Sequence, residues 1–174
     1  MRELITERLV LRRFNESDVD FVFDLYSRWD VQRFIGHVPR VMVDRAEAVA
    51  RVARNAAFDD DPRGIWLIAG RDGTRYGTLL LKTLPASGGR PSSETEIGWH
   101  LHPDTWGRGI ASEAATRALT HAFAGGLDRV LAVTHPENVA SQAVARRIGM
   151  RDEGLTDAYY DTTCALFRID RPAD

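Results

Sequence analysis

Eight consecutive residues, Trp106 to Glu113, form the pattern in this sequence that is best suited to binding a phosphate. Glycine at 107 and 109 lets the backbone bend sharply and approach a ligand without an intervening Cβ. A helical pattern begins at Ile110, so the free N–H groups of that helix would point into the bend and attract a phosphate or pyrophosphate. Arg108 adds a positive charge. The alternative is a loop with helix-start glycines and no ligand.

Two other phosphate-binding motifs fit this bend poorly. A P-loop needs Gly-Lys-Ser/Thr, and the bend has no such lysine. The dinucleotide pattern G-x-G-x-x-G fits in part, because Ser112 occupies the third glycine position. Asp128 lies about where a ribose-binding acid would be, so a nucleotide-dependent oxidoreductase stays open as an alternative.

Composition limits the classes of function. The chain has 174 residues and a formal net charge of −2, so no strongly basic surface indicates a nucleic-acid partner. Cys164 is the only cysteine, and the histidines lack zinc-ligand spacing, so we expect no disulfide and no metal. The first residues lack the apolar run of a signal peptide, and no window of ~18 apolar residues occurs. We therefore expect a soluble cytoplasmic protein without a membrane partner.

The hydrophobic pattern predicts strands alternating with helices in the middle of the chain. Strands are expected at 8–14, 65–69, 76–84, 94–101, 129–133, 155–160 and 164–169, and helices at 16–28, 44–58, 110–125 and 139–148. The order β-α-α-β-β-β-α-β-α-β-β indicates an α/β protein with a sheet of mixed direction. The linker-like stretch at 85–93 is too short to separate domains.

Three segments in order resemble the GNAT acyl-CoA-dependent N-acyltransferases, particularly their ribosomal-protein N-terminal (alanine/serine) acetyltransferase-like branch. The opening Thr6–Arg12 is similar to the first strand of that branch. The matching motifs are Glu96-Ile97-Gly98-Trp99 followed by Trp106-Gly107-Arg108-Gly109-Ile110-Ala111-Ser112-Glu113-Ala114, and then Asn138-Val139-Ala140-Ser141 with Ile148-Gly149-Met150.

The resemblance implies a fold and a co-substrate. The fold would be one acyl-CoA N-acyltransferase domain over residues 1–174, with a mixed, mostly antiparallel sheet of about seven strands and helices on both faces. Acetyl-CoA would be the acyl donor, with its pyrophosphate on the glycine bend and its pantetheine arm along the fourth strand. The residues expected to contact it are Trp99, His100, Leu101, Trp106, Gly107, Arg108, Gly109, Ile110, Ala111, Ser112, Asn138 and Ser141. Arg146 and Arg147 are looser candidates for a phosphate, and a solvated helix surface is the interpretation we favour for them.

Acetyl transfer to an amine needs a base, because an amine that arrives protonated must lose a proton. Glu96 and His100 are the candidates, and strand alternation places them on one face, opposite Ile97, Trp99 and Leu101. The resemblance favours Glu96, whereas His100 has the more suitable ordinary pKa. A structural role also remains open for each residue: Glu96 as an acid at the start of the strand, and His100 as a half-buried strand residue.

The departing thiolate needs a proton or a hydrogen bond. The family uses a Tyr or Ser in the second helix of this region, and only Ser141 is available here. Its alternative is an ordinary first-turn serine. Asn138 is either the cap of that helix, a partner for the pantetheine, or both.

The acceptor would enter beside the first two helices and the final hairpin, where Trp29, Phe34, Tyr159, Tyr160 and Asp161 are expected to line its path. Acidic groups at Asp59–Asp61 or Asp157 would attract a cationic amine. The expected function is transfer of an acetyl group to a primary amine of a protein N-terminus or a small molecule, by direct attack in a ternary complex. A non-catalytic acyl-CoA-binding sensor is the alternative, and a homodimer is common among relatives.

Overall fold

The computed structural model describes residues 1–173 and contains one mixed sheet. Its strands are β1 (Leu4–Ile5), β2 (Leu9–Arg12), β3 (Gly64–Gly70), β4 (Arg75–Thr83), β5 (Thr95–Leu101), β6 (Arg129–Thr134), β7 (Arg151–Thr156) and β8 (Cys164–Asp170). They lie in the order β1-β2-β3-β4-β5-β6-β8-β7. Every neighbouring pair is antiparallel except β5 and β6. The expected mixed, mostly antiparallel sheet is thereby confirmed.

The sheet has one strand more than the seven expected. The additional strand is β1, whose Leu4 and Ile5 pair with Leu11 and Val10 of β2. The chain turns back between them, where the Thr6 N–H donates to Leu9 O at 3.0 Å. A strand of two residues is too short to show the alternation of apolar and polar residues that predicts strands from sequence.

Five α-helices complete the fold: α1 (Val19–Ser27), α2 (Trp29–Gln32), α3 (Arg45–Ala57), α4 (Ile110–Ala124) and α5 (Val139–Arg147). Asp44 begins α3 with a capping box, in which its carboxylate accepts from the backbone and Glu47 reciprocates. The short α2 was not expected, since 29–39 was predicted to be a connection. Within the described residues, no helix is long and apolar enough to cross a membrane.

The two faces of the sheet pack against different helices. On one face, α4 presents a stripe of buried alanines, which lets the helix lie close to the strands. On the other face, α1 and α3 bury a second cluster that includes Leu25, Tyr26 and Val52. Helices on both faces agree with the expected architecture.

The final hairpin differs from the prediction. A strand was expected at 155–160, but β7 ends at Thr156, and residues 157–163 form a connection in which Tyr160 (φ 58°) and Asp161 (φ 53°) are left-handed. The connection bonds to the segment between β4 and β5, where Ser87 N–H donates to Ala158 O at 2.8 Å and Tyr160 N–H to Pro85 O at 3.3 Å. A bulky residue in the left-handed region is unfavourable and is held only by surrounding structure. These contacts place Tyr160 beside β5.

Candidate active site

A wedge opens between β5 and β6. The two strands pair in parallel at a single position, Glu96 with Leu131, whereas β5 pairs with β4 along its whole length. Beyond Glu96 the strands therefore diverge, and the β6-facing edge of β5 is left without a strand partner.

The register of β5 decides which backbone groups face the wedge. The Leu84 N–H donates to Glu94 O at 2.8 Å and the His102 N–H to Tyr76 O at 2.9 Å. Because bonding alternates along an antiparallel ladder, the even-numbered residues between them direct their N–H and C=O groups to β4. The backbone of Trp99 and Leu101 therefore faces the wedge, whereas that of His100 does not. Contact of all three residues with the pantetheine stays a prediction, and of the three only Trp99 and Leu101 present backbone groups to the wedge.

The glycine bend lies at the end of β5. Gly107 (φ 73°) and Gly109 (φ 76°) are both left-handed, and a Cβ added to Gly107 would meet nothing within 4 Å. Gly109 is the N-cap of α4 and provides no side-chain cap, so the first N–H groups of this helix, from Ile110 onward, lack a side-chain acceptor there. The Trp106 indole donates to Leu101 O at 3.0 Å and so ties the bend to β5.

Arginines surround the bend. Arg8 donates to Arg108 O at 3.2 Å and pairs with Glu113 in the first turn of α4 at 2.6 Å. Arg147, at the end of α5, donates to Ser112 Oγ at 3.3 Å. Arg146 instead pairs with Asp152 at 2.7 Å. Of Arg146 and Arg147, the two looser phosphate candidates, only Arg147 therefore lies at the bend. Arg8 also lies there, which the sequence did not lead us to predict.

An open groove of about 490 Å³ continues from the bend along α4. Ser112, Thr116 and Arg147 are among its lining residues. Its lining starts at Ser112 and Glu113 in the first turn of α4 and includes none of the bend residues 106–110.

Glu96 is buried in a cluster with two partners. Lys82, its register partner on β4, places Nζ 2.6 Å from the Glu96 carboxylate and donates to the Tyr160 hydroxyl at 2.8 Å. The Tyr160 hydroxyl in turn donates to Glu96. Burial, reinforced by the Glu96 charge, raises the pKa of Tyr160 above its ordinary value, so the phenol keeps its proton and remains a donor.

This cluster contains the single lysine of a sequence that otherwise uses arginine as its cation. The rarity of lysine is a signal in the sequence that could have drawn attention to Lys82. Tyr160 was expected only as a lining residue, because its contact with Glu96 spans 64 positions.

His100 lies on the same face as Glu96, as alternation predicts, but in a different environment. Its Nδ1 is 2.9 Å from the Tyr26 hydroxyl, and that hydroxyl donates to Thr78 at 3.1 Å. Removal from water lowers the pKa of His100 to about 3, and the charges of Arg51 and Lys82 add to the effect. The ring is therefore neutral at physiological pH, and the pKa argument that favoured it as a base no longer applies.

Asn138 and Ser141 lie where the chain passes from β6 to α5. The Asn138 side chain caps the helix by accepting the Ser141 N–H at 3.1 Å. The Ser141 hydroxyl is half-buried. One of the roles considered for Asn138, the helix cap, is therefore present.

Comparisons with known proteins agree with this geometry. A family model for the acetyltransferase (GNAT) domain matches residues 8–151. The chain belongs to the GNAT acetyltransferase family. It is 29% identical to the uncharacterized N-acetyltransferase YoaA of Bacillus subtilis, over 98% of each chain. GNAT acetyltransferases use acetyl-CoA as donor, and the chain is an N-acetyltransferase.

Solved GNAT structures share the fold. A GNAT-family acetyltransferase from Bacillus anthracis superposes with a TM-score of 0.81 at 23% identity, covering 98% of this chain and 99% of that one. RimL, a ribosomal L7/L12 α-N-protein acetyltransferase solved with coenzyme A, gives 0.80 at 22% identity, covering 99% and 100%. At these identities the likeness shows the fold alone.

Glu96, His100 and α1 lie on one face of the sheet, the side on which the acceptor was expected. Phe34 packs on His135, just beyond β6, with ring centroids 5.3 Å apart, so this expected lining residue lies near the mouth of the wedge. Two of the carboxylates expected to attract a cationic amine have cationic partners, since Asp59 pairs with the amino terminus and Asp60 with Arg63. Asp157 instead accepts from the Thr163 hydroxyl at 2.5 Å.

Proposed function

We propose that this chain transfers the acetyl group of acetyl-CoA to a primary amine by direct attack in a ternary complex. The observation that carries the proposal is the wedge between β5 and β6, which joins an uncapped helix N-terminus at one end to a buried carboxylate on the adjoining strand. The acceptor is an amine of a protein N-terminus or of a small molecule.

The donor fits the residues present. The first N–H groups of α4 and the bend from Trp106 to Ser112 would hold the pyrophosphate, since the helix dipole and the free N–H groups both favour an anion. Arg108 and Arg147 would screen its remaining charge. No side chain fills the space above Gly107, so a phosphate can approach the backbone closely.

The backbone of β5 would position the thioester. The N–H groups of Trp99 and Leu101 face the wedge, and either would stabilise the negative charge that develops on the thioester oxygen. The Leu101 carbonyl accepts from the Trp106 indole, which fixes this end of β5 against the bend.

Glu96 would act as the general base. The amine must lose a proton to attack, and the Glu96 carboxylate would accept it directly or through water. The amine nitrogen then bonds to the carbonyl carbon, and the carbon–sulfur bond breaks as the intermediate collapses. The thiolate takes up the surplus proton that the attacking nitrogen loses, directly or through water, and leaves as the thiol of coenzyme A. The Ser141 hydroxyl would donate a hydrogen bond to the sulfur.

The Glu96→Gln variant tests this assignment. Its rate should fall strongly at neutral pH and approach the wild-type rate at high pH, where amines deprotonate without a base. Steady-state rates measured over a range of pH with saturating acetyl-CoA provide the comparison. His100→Gln is the matched control on the same face, and it should leave the shape of the profile unchanged. Profiles of the same shape for wild type and Glu96→Gln would remove Glu96 as the base. Binding of acetyl-CoA by the wild type without transfer to any amine would favour the sensor alternative.

A further inference from the structure

Arg51 of α3 is a cation without an acidic partner on the acceptor face. Its Cζ lies 3.6 Å from the centroid of the Tyr26 ring, and its Nε is buried without a hydrogen-bond partner. Among residues 1–173, no carboxylate lies within ion-pair distance of its guanidinium. By contrast, Arg45 at the start of the same helix pairs with Asp20 at 2.8 Å.

The position of Arg51 relates it to the site. The Tyr26 ring that supports its guanidinium meets His100 edge-on, with centroids 5.7 Å apart, and the Tyr26 hydroxyl bonds to His100. One aromatic ring therefore separates Arg51 from β5. Lys82, the nearby cation of the cluster, is neutralised by Glu96. Arg51 thus leaves this face with an uncompensated positive charge.

We propose that Arg51 binds a carboxylate of the acceptor, so that the acceptor is an amine that also carries a carboxylate group. The inference rests on the proposed function and narrows its substrate class. A partly buried charge without a partner is costly, and a ligand carboxylate would remove that cost. The planar guanidinium matches a carboxylate with two parallel hydrogen bonds.

Two details favour a carboxylate over a phosphate. A single unpaired guanidinium balances one negative charge, whereas a phosphate monoester carries nearly two at neutral pH. The Tyr26 ring also lies against the guanidinium, which reduces the freedom lost when the fork binds a planar group.

The test uses the whole protein and paired acceptors. Acetyl transfer is measured with glycine and with longer ω-amino acids up to 6-aminohexanoate, each beside its primary amide, at saturating acetyl-CoA. The wild type should prefer the carboxylate member of the pair through a lower KM. Arg51→Met should raise the KM for the carboxylate acceptors by about 10- to 100-fold and leave the KM for the amides unchanged.

Controls separate recognition from folding. Arg54→Met replaces an exposed arginine one turn further along α3 and should change neither KM. Arg51→Lys keeps the charge but loses the planar fork, and it should give an intermediate KM. The melting temperature and acetyl-CoA affinity of each variant report on folding. If Arg51→Met is unfolded, Arg51→Gln is measured in its place.

The outcomes are distinguishable. Equal KM values for carboxylate and amide acceptors in the wild type, or an equal loss for both in Arg51→Met, would overturn the role of Arg51 while leaving acetyl transfer established. Absence of transfer to every amine together with absence of acetyl-CoA binding would overturn the proposed function itself. Absence of transfer to every amine with acetyl-CoA still bound would contradict the acceptor step and the inference together.

Discussion

At the scale of single residues, the cluster of Glu96, Lys82 and Tyr160 is the most specific feature of the site. A carboxylate that is 5% exposed is stable as an anion only where opposite charge and hydrogen bonds replace water. Lys82 supplies the charge, and the protonated Tyr160 supplies a further donor. Lys82 therefore already balances the charge of the Glu96 carboxylate before that carboxylate would accept a proton from the amine.

Replacing Lys82 should change the pH dependence of the reaction. In Lys82→Met, the Glu96 carboxylate keeps the Tyr160 hydrogen bond but loses its balancing charge, so it binds a proton more readily. The acid limb of the pH–rate profile should then move to higher pH by about one unit or more. Lys82→Arg retains the charge and should restore most of the original profile. An acid limb at the same pH in Lys82→Met would show that Lys82 does not act on the base.

The residues of this cluster could be predicted only in part. Glu96 and its face follow from the motif and from strand alternation. Its partners do not, because the contact with Tyr160 depends on a connection at 157–163 whose left-handed residues have no glycine to signal them. The pKa of His100 depends on burial beneath α1, which composition does not reveal.

At the scale of elements, α4 joins the sheet to the glycine bend. Five of its alanines, Ala111, Ala114, Ala115, Ala118 and Ala122, are buried against the strands. Small side chains let the axis of α4 lie close to the sheet. They therefore also set the distance between the N-terminus of α4 and the sheet at the wedge.

Enlarging this face should destabilise the fold. Ala118 is fully buried, and Ala118→Leu would insert three carbons where no space exists, at a cost of ~1–3 kcal/mol. Urea denaturation would measure the loss of unfolding free energy. Thr116→Leu is the control, because Thr116 lies exposed on the same helix and its replacement should change stability by less than ~0.5 kcal/mol. Equal stability of the two variants would contradict the close packing of α4.

The elements themselves were largely predictable. Helices α3 and α4 lie within the predicted 44–58 and 110–125, and strands β3 and β4 lie at the predicted 65–69 and 76–84 to within one residue at each end. The departures are β1, α2 and the end of β7, which are short or irregular. Their structure depends on contacts from other parts of the chain rather than on local pattern.

At the scale of the whole molecule, the proposed reaction is divided between the two faces of the sheet. The face of α4 carries the bend and the groove for the donor, and the face of α1 and α3 carries Glu96, His100 and Arg51. The wedge between β5 and β6 is where the two sides meet. The acceptor is the least predictable part of the account, because the residues around it lie outside the motifs that identify the family.

The most direct test of this division is isothermal titration of acetyl-CoA into the wild type and Gly109→Asp. The Asp side chain tolerates a left-handed backbone better than most, so the variant should fold, but its charge would repel the pyrophosphate. Gly126→Asp, at a left-handed glycine beyond the other end of α4, is the matched control. The account predicts that Gly109→Asp weakens binding by about 100-fold or more, ~2.7 kcal/mol, while Gly126→Asp binds as the wild type does. Equal affinity in all three proteins would contradict it, since the donor would then bind elsewhere.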